Sequence, residues 1–460
     1  MPLNPDQPPE DFRSVLASVD KQGHRRFVAA DIAGGVWRKR RVVVSVFLIA
    51  FYMVLPFIQV GGYPLLFIDI PNRAYVFLGH VFQPQDVRYL VLFFLLFLIG
   101  TLLMVALFGR VFCGWLCPHN VFLEMVFRPI EQLLEGRGHR RAAAHRKGGA
   151  ANLAGRKFIK WVLYALVAGA LANTATAVFV GREAFIGGIL IDPINHPTAA
   201  FFFTAFFGAI VFNFGWFREQ TCMVVCPYGK MQAAMLDDHT LGVSYDKNRG
   251  EPRGKKDKAE GDCVDCGRCV QVCPTGIDIR NGSQFECIHC TACIDACDTV
   301  MDKIGRERGL IRYAAECEIQ GRGKRKVIRP RTIFYAVVYV ALVAVTVLSL
   351  VSRQDVLVRR MRDTAAASYG ESEAGVKIIR KVVNLLMVSR VDEPRELDLS
   401  LIDVPGGNIR TQTAHFELGP QGERELTLFL EIPADHPSKT VDLQVDWGTG
   451  SEQLEVMIRR

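Results

Sequence analysis

Gly261-Asp-Cys263-Val-Asp-Cys266-Gly-Arg-Cys269-Val-Gln-Val-Cys273-Pro274-Thr-Gly-Ile-Asp-Ile-Arg-Asn-Gly282 is followed, after four residues, by Cys287-Ile-His-Cys290-Thr-Ala-Cys293-Ile-Asp-Ala-Cys297. The first run has the spacing C-x2-C-x2-C-x3-C-P. The second repeats it with Asp298 in place of the proline. Three cysteines in a tight turn reach three irons of one cubane, and a distant fourth closes the cage. In this bacterial ferredoxin spacing the fourth cysteine of each run ligates the other cluster. The pattern therefore assigns Cys263, Cys266, Cys269 and Cys297 to one [4Fe–4S] cluster and Cys273, Cys287, Cys290 and Cys293 to a second. Zinc competes, because paired C-x2-C motifs also make structural zinc sites, but zinc takes two pairs per ion and each half here is a triplet with a spaced fourth. A domain so small is expected to have almost no apolar core and to be held by its metal sites. His289, between two ligands, is expected to face solvent.

Eight of the 13 cysteines crowd into these 35 residues and none lies beyond Cys317, unlike a secreted disulfide framework. Half of the 460 residues are hydrophobic although 22% are charged, and the net charge is +8. That balance describes apolar segments joined to polar domains. Five stretches reach the roughly 20 apolar residues needed to span a bilayer: Val42–Val60, Tyr89–Phe108, Ile159–Val180, Thr198–Phe217 and Thr332–Val351. The first is the weakest, because Pro56 and Gln59 interrupt its end. The N-terminus shows no basic-then-apolar leader, so residues 1–41 are expected to stay on the side of synthesis.

Basic residues set the orientation. Arg38 to Arg41 precede the first span, eight Lys or Arg between Arg128 and Lys157 follow the second, and six between Arg322 and Arg331 precede the fifth. Loops 61–88 and 181–197 hold only Arg73, Arg88 and Arg182. Lys and Arg mark cytosolic loops, which places the N-terminus, 109–158 and 218–331 inside and the C-terminus outside. The spans also look duplicated. Each helix pair ends in Cys-x-x-x-Cys-Pro, at Cys113–Pro118 and Cys222–Pro227, and encloses a similar phrase, Ile68–Asn72 and Ile191–Asn195.

The ferredoxin runs, Cys293-Ile-Asp-Ala-Cys-Asp-Thr-Val-Met301, Gly309-Leu-Ile-Arg-Tyr313 and the two Cys-x-x-x-Cys-Pro motifs together resemble the FixG/CcoG/RdxA family of cytochrome c oxidase accessory proteins. The resemblance runs from about Arg38 to the end. His119 departs from it, standing where the family is expected to carry glutamine, and offers an extra ligand.

Cysteines spaced i, i+4 on a helix share a face, and a proline after the second starts a new helix well. Cys117 and Cys226 are thus expected at helix N-termini, where the dipole favours thiolate. Several readings of Cys113, Cys117, Cys222 and Cys226 stand: buried small hydrophobes, a third four-cysteine cluster, or a soft-metal site; a disulfide is disfavoured on a reducing side. Thiolates with Met223 and His119 nearby suit Cu(I), whereas Cu(II) prefers nitrogen and oxygen. The resemblance implies the last reading: a cupric reductase supplying Cu(I) to a cbb-type oxidase, with these four as catalytic copper residues and the eight ferredoxin cysteines as conduit. It also implies copper chaperones or oxidase subunits as partners, an unidentified electron donor, no nucleic acid, and a bacterial inner-membrane location. His80 and His196, in outer loops, are read as solvated, and Cys317 as structural.

Beyond Val351, short alternating runs at Val382–Val388, Leu397–Ile402, Glu425–Ile432, Val441–Trp447 and Leu454–Ile458 predict a β-sandwich. The resemblance implies that it is immunoglobulin-like. The expected order is a cytosolic segment (1–41), a four-helix membrane domain (42–236), a cytosolic ferredoxin-like domain (237–321), a fifth membrane helix (332–351) and a periplasmic domain (352–460). Two other functions remain open: a quinol-oxidising relay of the type beside nitrate reductases, which would lack the outer β-domain, and a scaffold whose clusters only hold the fold.

Overall fold

The computed structural model describes residues 27–70, 74–83, 86–138, 154–181, 194–254, 260–282, 284–361, 367–371, 376–391, 393–410, 415–419 and 422–458. The phrase Ile191–Asn195 falls mostly outside these residues, as do most of residues 1–41 and the basic residues Arg140, Arg141, Arg146 and Lys147. The chain divides into two units, Met1–Ala344 and Val345–Arg460.

Among the described residues five helices are long and apolar enough to cross a membrane: Val36–Phe57, Val87–Phe108, Gly155–Val180, Pro197–Phe217 and Pro330–Val351. All five expected spans are present. The first begins six residues early and takes in Arg38 to Arg41, while Pro56 lies in a closing 3-10 turn, Leu55–Phe57, that ends it. Between the first two helices the chain is not a plain loop: Leu66–Asp69, Ala74–Phe77 and His80–Phe82 form an antiparallel three-stranded sheet. The helices touch through specific groups. Tyr52 Oη donates to the Leu171 carbonyl at 2.9 Å, and Gly100 leaves room for Tyr339.

The ferredoxin-like part rests on the ends of these helices. Its helix Ala292–Ile304 meets the start of the first, where Asp295 accepts hydrogen bonds from Trp37 N at 3.1 Å and Arg38 N at 2.7 Å. A side chain from about 257 residues away therefore caps the first apolar helix. The expectation of almost no apolar core is corrected. Val243, Tyr245, Ile277, Ile279, Ile294, Met301, Leu310 and Ile311 pack around the cysteines. Part of that cluster comes from outside the cysteine runs, through the paired strands Leu241–Tyr245 and Ile311–Ala315.

The second unit holds two antiparallel sheets. One joins Asn408–Arg410, Glu423–Pro433, Lys377–Ser389 and Val356–Arg360, with Ser368–Glu371 also on Lys377–Ser389. The other orders His415–Leu418, Arg395–Ile402, Thr440–Asp446 and Ser451–Met457. Val383, Leu385 and Leu430 from one sheet and Leu397, Leu443 and Val456 from the other are fully buried in one shared core. Side chains alternate inward and outward along Arg395–Ile402, as a two-layer packing requires. The five expected strands are all found, with four short strands added among the described residues.

Candidate metal and electron-transfer site

The ferredoxin cysteines surround two cavities. One is lined by Cys263, Cys266, Cys269 and Cys297 with Tyr245 and Met301. The other is lined by Cys273, Cys287, Cys290 and Cys293, with Cys269 shared and Pro274 and Thr291 alongside. Each cavity gathers one crossed-over set of four. Among the described residues no three Cys, His, Asp or Glu side chains converge as a single-ion site. A ring of thiols around an apolar void suits a cluster several atoms across better than one ion. Burial pushes the thiols of Cys269, Cys287 and Cys297 up to about 12 and Cys290 to about 11, so a cationic centre must replace their protons. Cys266 is the exposed member.

The two Cys-x-x-x-Cys-Pro segments share one backbone course. Gly109 (φ 62°, ψ −139°) and Arg218 (φ 51°, ψ −123°), each four residues before the first cysteine, take the same left-handed turn. Cys117 and Cys226 are both extended, and Pro118–Phe122 and Pro227–Ala234 start after them as helices. This repetition bears out the expected positions of Cys117 and Cys226. It also places a non-glycine residue where glycine is favoured. Arg218 is held there by a bidentate pair with Glu131, both contacts 3.0 Å and buried. The helices are locally underwound into π turns at Leu123–Phe127, Phe212–Phe217 and Thr221–Val225, a feature that recurs at functional sites.

Between the segments, Asn120 Nδ2 donates to the Cys113 carbonyl at 2.6 Å while its Oδ1 faces the Cys222 thiol at 3.7 Å. Cys113 Sγ donates to Gln232 Oε1 at 2.8 Å, and Gly229 N points at Cys226 Sγ at 3.4 Å. The four thiols lie near enough to influence one another's ionisation. Burial pushes Cys113 up to about 11 and raises Cys222 further. The amides of Asn120 and His119 do favour the Cys117 thiolate, but burial outweighs them and its pKa rises. Without a metal Cys113, Cys117 and Cys222 are thiols rather than thiolates.

His119 does not serve as the extra ligand. Its Nε2–H donates to the Arg218 carbonyl at 3.0 Å, its Nδ1 accepts from Asn213 Nδ2 at 3.0 Å, and the ring stacks on Phe214. Met223 is buried close by. His80 and His196 are exposed, as expected. Cys317 is buried with its thiol 3.2 Å from His239 Nδ1.

The two centres meet. Cys113 packs with Ile288 and Cys290. A Cβ on Gly114 would lie 2.5 Å from the Ile288 carbonyl and 3.0 Å from Cys290 Cα and N. Only glycine lets these backbones approach so closely. His289 is corrected by this contact: it is 5% exposed rather than solvent-facing, and its Nδ1 accepts from Arg110 N at 3.1 Å. Burial and the neighbouring Arg110 charge lower its pKa to about 3, keeping it neutral. Tyr313 Oη donates to the His289 carbonyl at 2.8 Å and accepts from Trp115 Nε1 at 3.2 Å. Arg128 reaches the Pro274 carbonyl at 3.0 Å and Arg41 the Gly114 carbonyl at 3.1 Å.

Comparison with known proteins agrees with this arrangement. A family model for a 4Fe-4S dicluster domain matches residues 217–316, and one for a 4Fe-4S binding domain matches residues 90–137. Protein RdxB of Cereibacter sphaeroides is 35% identical over 356 residues, 73% of this chain and 72% of that one. Protein RdxA of the same organism is 33% identical over 335 residues, 69% and 71% of the two chains. The nitrogen fixation protein FixG of Rhizobium meliloti is 30% identical over 303 residues, 63% of this chain and 57% of that one. A crystal structure of a FixG-related protein from Vibrio parahaemolyticus aligns with 24% of this chain and 99% of its own, at 14% identity and a TM-score of 0.20, which carries no structural inference. Similar to RdxB over nearly three quarters of both chains, and bearing 4Fe-4S domains, this chain belongs to the RdxA, RdxB and FixG family of iron–sulfur electron-transfer proteins.

Proposed function

We propose that the protein reduces Cu(II) to Cu(I) at Cys113, Cys117, Cys222 and Cys226 and hands the product to a cbb-type cytochrome c oxidase in assembly. The observation that carries this reading is the packing of Cys113 and Gly114 directly on Cys290. Cys263, Cys266, Cys269 and Cys297 hold one cluster, and Cys273, Cys287, Cys290 and Cys293 the other, in keeping with the two cavities. When bound, the clusters supply one-electron reservoirs. Cys266 opens the first site to an external reductant, and Cys290 turns the second toward the membrane-end thiols. Four thiols stabilise Cu(I) over Cu(II) and so favour the reduced product. The basic clusters support a cytosolic ferredoxin-like part, and the C-terminal two-sheet unit, which we take as immunoglobulin-like, lies in the periplasm of a bacterial inner membrane as a docking module for copper chaperones or oxidase subunits.

The test mixes the dithionite-reduced protein, freed of excess reductant, with Cu(II) under anaerobic conditions and follows Cu(I) with a chelator. Cu(I) should form as the clusters oxidise, and Cys113→Ala and Cys226→Ala should lose the reaction with cluster content retained. Variants that reduce copper as well as the parent sink the proposal. A second reading has its own observation: the 4Fe-4S binding model on residues 90–137 contains Cys113 and Cys117 but none of the ferredoxin cysteines. It assigns a third cluster to the four thiols. Iron analysis separates the two, since two [4Fe–4S] clusters give about eight irons per chain and three give about twelve.

A further inference from the structure

Arg110 is 2% exposed and stands between the two centres. Its backbone N–H donates to His289 Nδ1 at 3.1 Å, and its Nη1 contacts the Phe285 carbonyl, two residues before Cys287. On the other side its charge acts on the Cys113 thiol, favouring the ionised form against the effect of burial. Its Nη2 lies 3.2 Å from where a Cβ on Gly229 would stand, at the helix turn that presents N–H to Cys226. It also acts electrostatically on Cys222 and on Cys287. One buried cation thus faces both the membrane-end thiols and the loop that carries Cys287 and Cys290. A buried charge is costly unless it is paired. Its Nε has no hydrogen-bond partner, and no carboxylate is recorded in an ion pair with it among the described residues.

We propose that Arg110 is a positioning residue whose charge is shared between the second cluster site and the four-thiol site, coupling the two. The inference rests on the copper reading for its second half only. In the one-electron step Cu(II) gains an electron and becomes Cu(I), and an iron–sulfur centre loses one, so negative charge leaves one side of Arg110 and appears on the other. A cation between the two sides stabilises either distribution. A guanidinium already in place before the step adds little reorganisation to it. Reduction of the clusters and Cu(I) binding at the thiols then compete for one counter-charge, and that competition is reciprocal.

Full-length protein in detergent, with both clusters in place, is compared with Arg110→Gln and Arg110→Lys. Iron and sulfide per chain report cluster content. Redox titration followed by electron paramagnetic resonance reports the cluster potentials, and chelator competition reports Cu(I) affinity. Arg110→Gln should shift one cluster to a more negative potential and leave the other in place. Its Cu(I) affinity should fall about tenfold, an ordinary size for the coupling between two neighbouring sites. Arg110→Lys, which keeps the charge and loses the fork, should restore most of both. Parent-like values in Arg110→Gln overturn the inference, and so does a lysine variant no better than the glutamine one, because a mere strut to Phe285 would fail equally in both. In the parent protein, cluster reduction should weaken Cu(I) binding. Equal affinity in the two redox states overturns the inference whether or not the glutamine variant holds its clusters. A parent that binds no Cu(I) while Arg110→Gln still shifts one potential refutes the copper reading and upholds the role of Arg110 at the cluster.

Discussion

Replacing Gly114 with alanine tests whether the contact between the thiol segment and the second cluster site matters. Gly114 lies in the short helix Val111–Trp115, so in isolation alanine should stabilise it by about 1 kcal/mol. The added methyl would instead stand 2.5 Å from the Ile288 carbonyl oxygen, against 3.4 Å for ordinary contact. Both obstacles are backbone, Ile288 O and then Cys290 Cα and N at 3.0 Å, so neither can swing aside as a side chain would. Overpacking of that kind costs about 1–3 kcal/mol, which cancels or exceeds the helical gain. Gly208→Ala is the control: it lies in the fourth apolar helix with nothing within 4 Å of its would-be Cβ, and should gain stability. Thermal unfolding in one detergent should separate the two variants by about 1–3 kcal/mol. Relief of the clash moves the thiol segment from Cys290 by close to 1 Å, and a displacement of that size at a reacting centre can slow a step about 100-fold. Anaerobic stopped-flow of cluster oxidation by Cu(II) reads that rate. If Gly114→Ala matches Gly208→Ala in stability and the parent in rate, the contact is incidental.

Two further outcomes follow from contacts at the helix ends. Asp295→Ala should cost about 1–2 kcal/mol, the worth of a charged N-cap; hydrogen exchange should speed at the amides of Trp37 and Arg38, with Asp295→Asn retaining most of the protection. Burial works against the Asp237 carboxylate, but hydrogen bonds from Arg329 and Thr240 hold its pKa below the usual range. Its stabilising effect is therefore present above the unfolded value of about 3.9 and lost as pH falls through the folded one. Asp237→Asn should lower stability at pH 7 by less than about 1 kcal/mol, because the pair is solvent-screened, and the gap from the parent should close on acidification below about pH 4.

The parts of the architecture legible in the sequence are those that repeat at fixed spacing. The eight ferredoxin cysteines, the doubled Cys-x-x-x-Cys-Pro and the five apolar runs each announce themselves within a few dozen residues. Partnerships across the chain do not. Nothing near His289 says that it will pack into slots left by Gly109 and Gly242, and so it reads as a surface spacer. Asp295 looks like one more acidic residue on a cluster helix until the first apolar helix is seen starting against it. His119 reads as a spare ligand because its true partners, Asn213 and the Arg218 carbonyl, are about a hundred residues away. The short strands at 66–82 and at Asn408–Arg410 and His415–Leu418 escape because three or four residues are too few for alternation to show.

The cap that Asp295 places on the first apolar helix has a consequence for how the protein is made. That helix leaves the ribosome first, with the amides of Trp37 and Arg38 unsatisfied. Their acceptor sits between Cys293 and Cys297, which are synthesised some 250 residues later. The helix end is completed only when the chain around Cys293 and Cys297 has folded against it. Completing the first apolar helix and folding the cysteine-rich part are thereby one event: the amides of Trp37 and Arg38 stay open until Asp295 arrives.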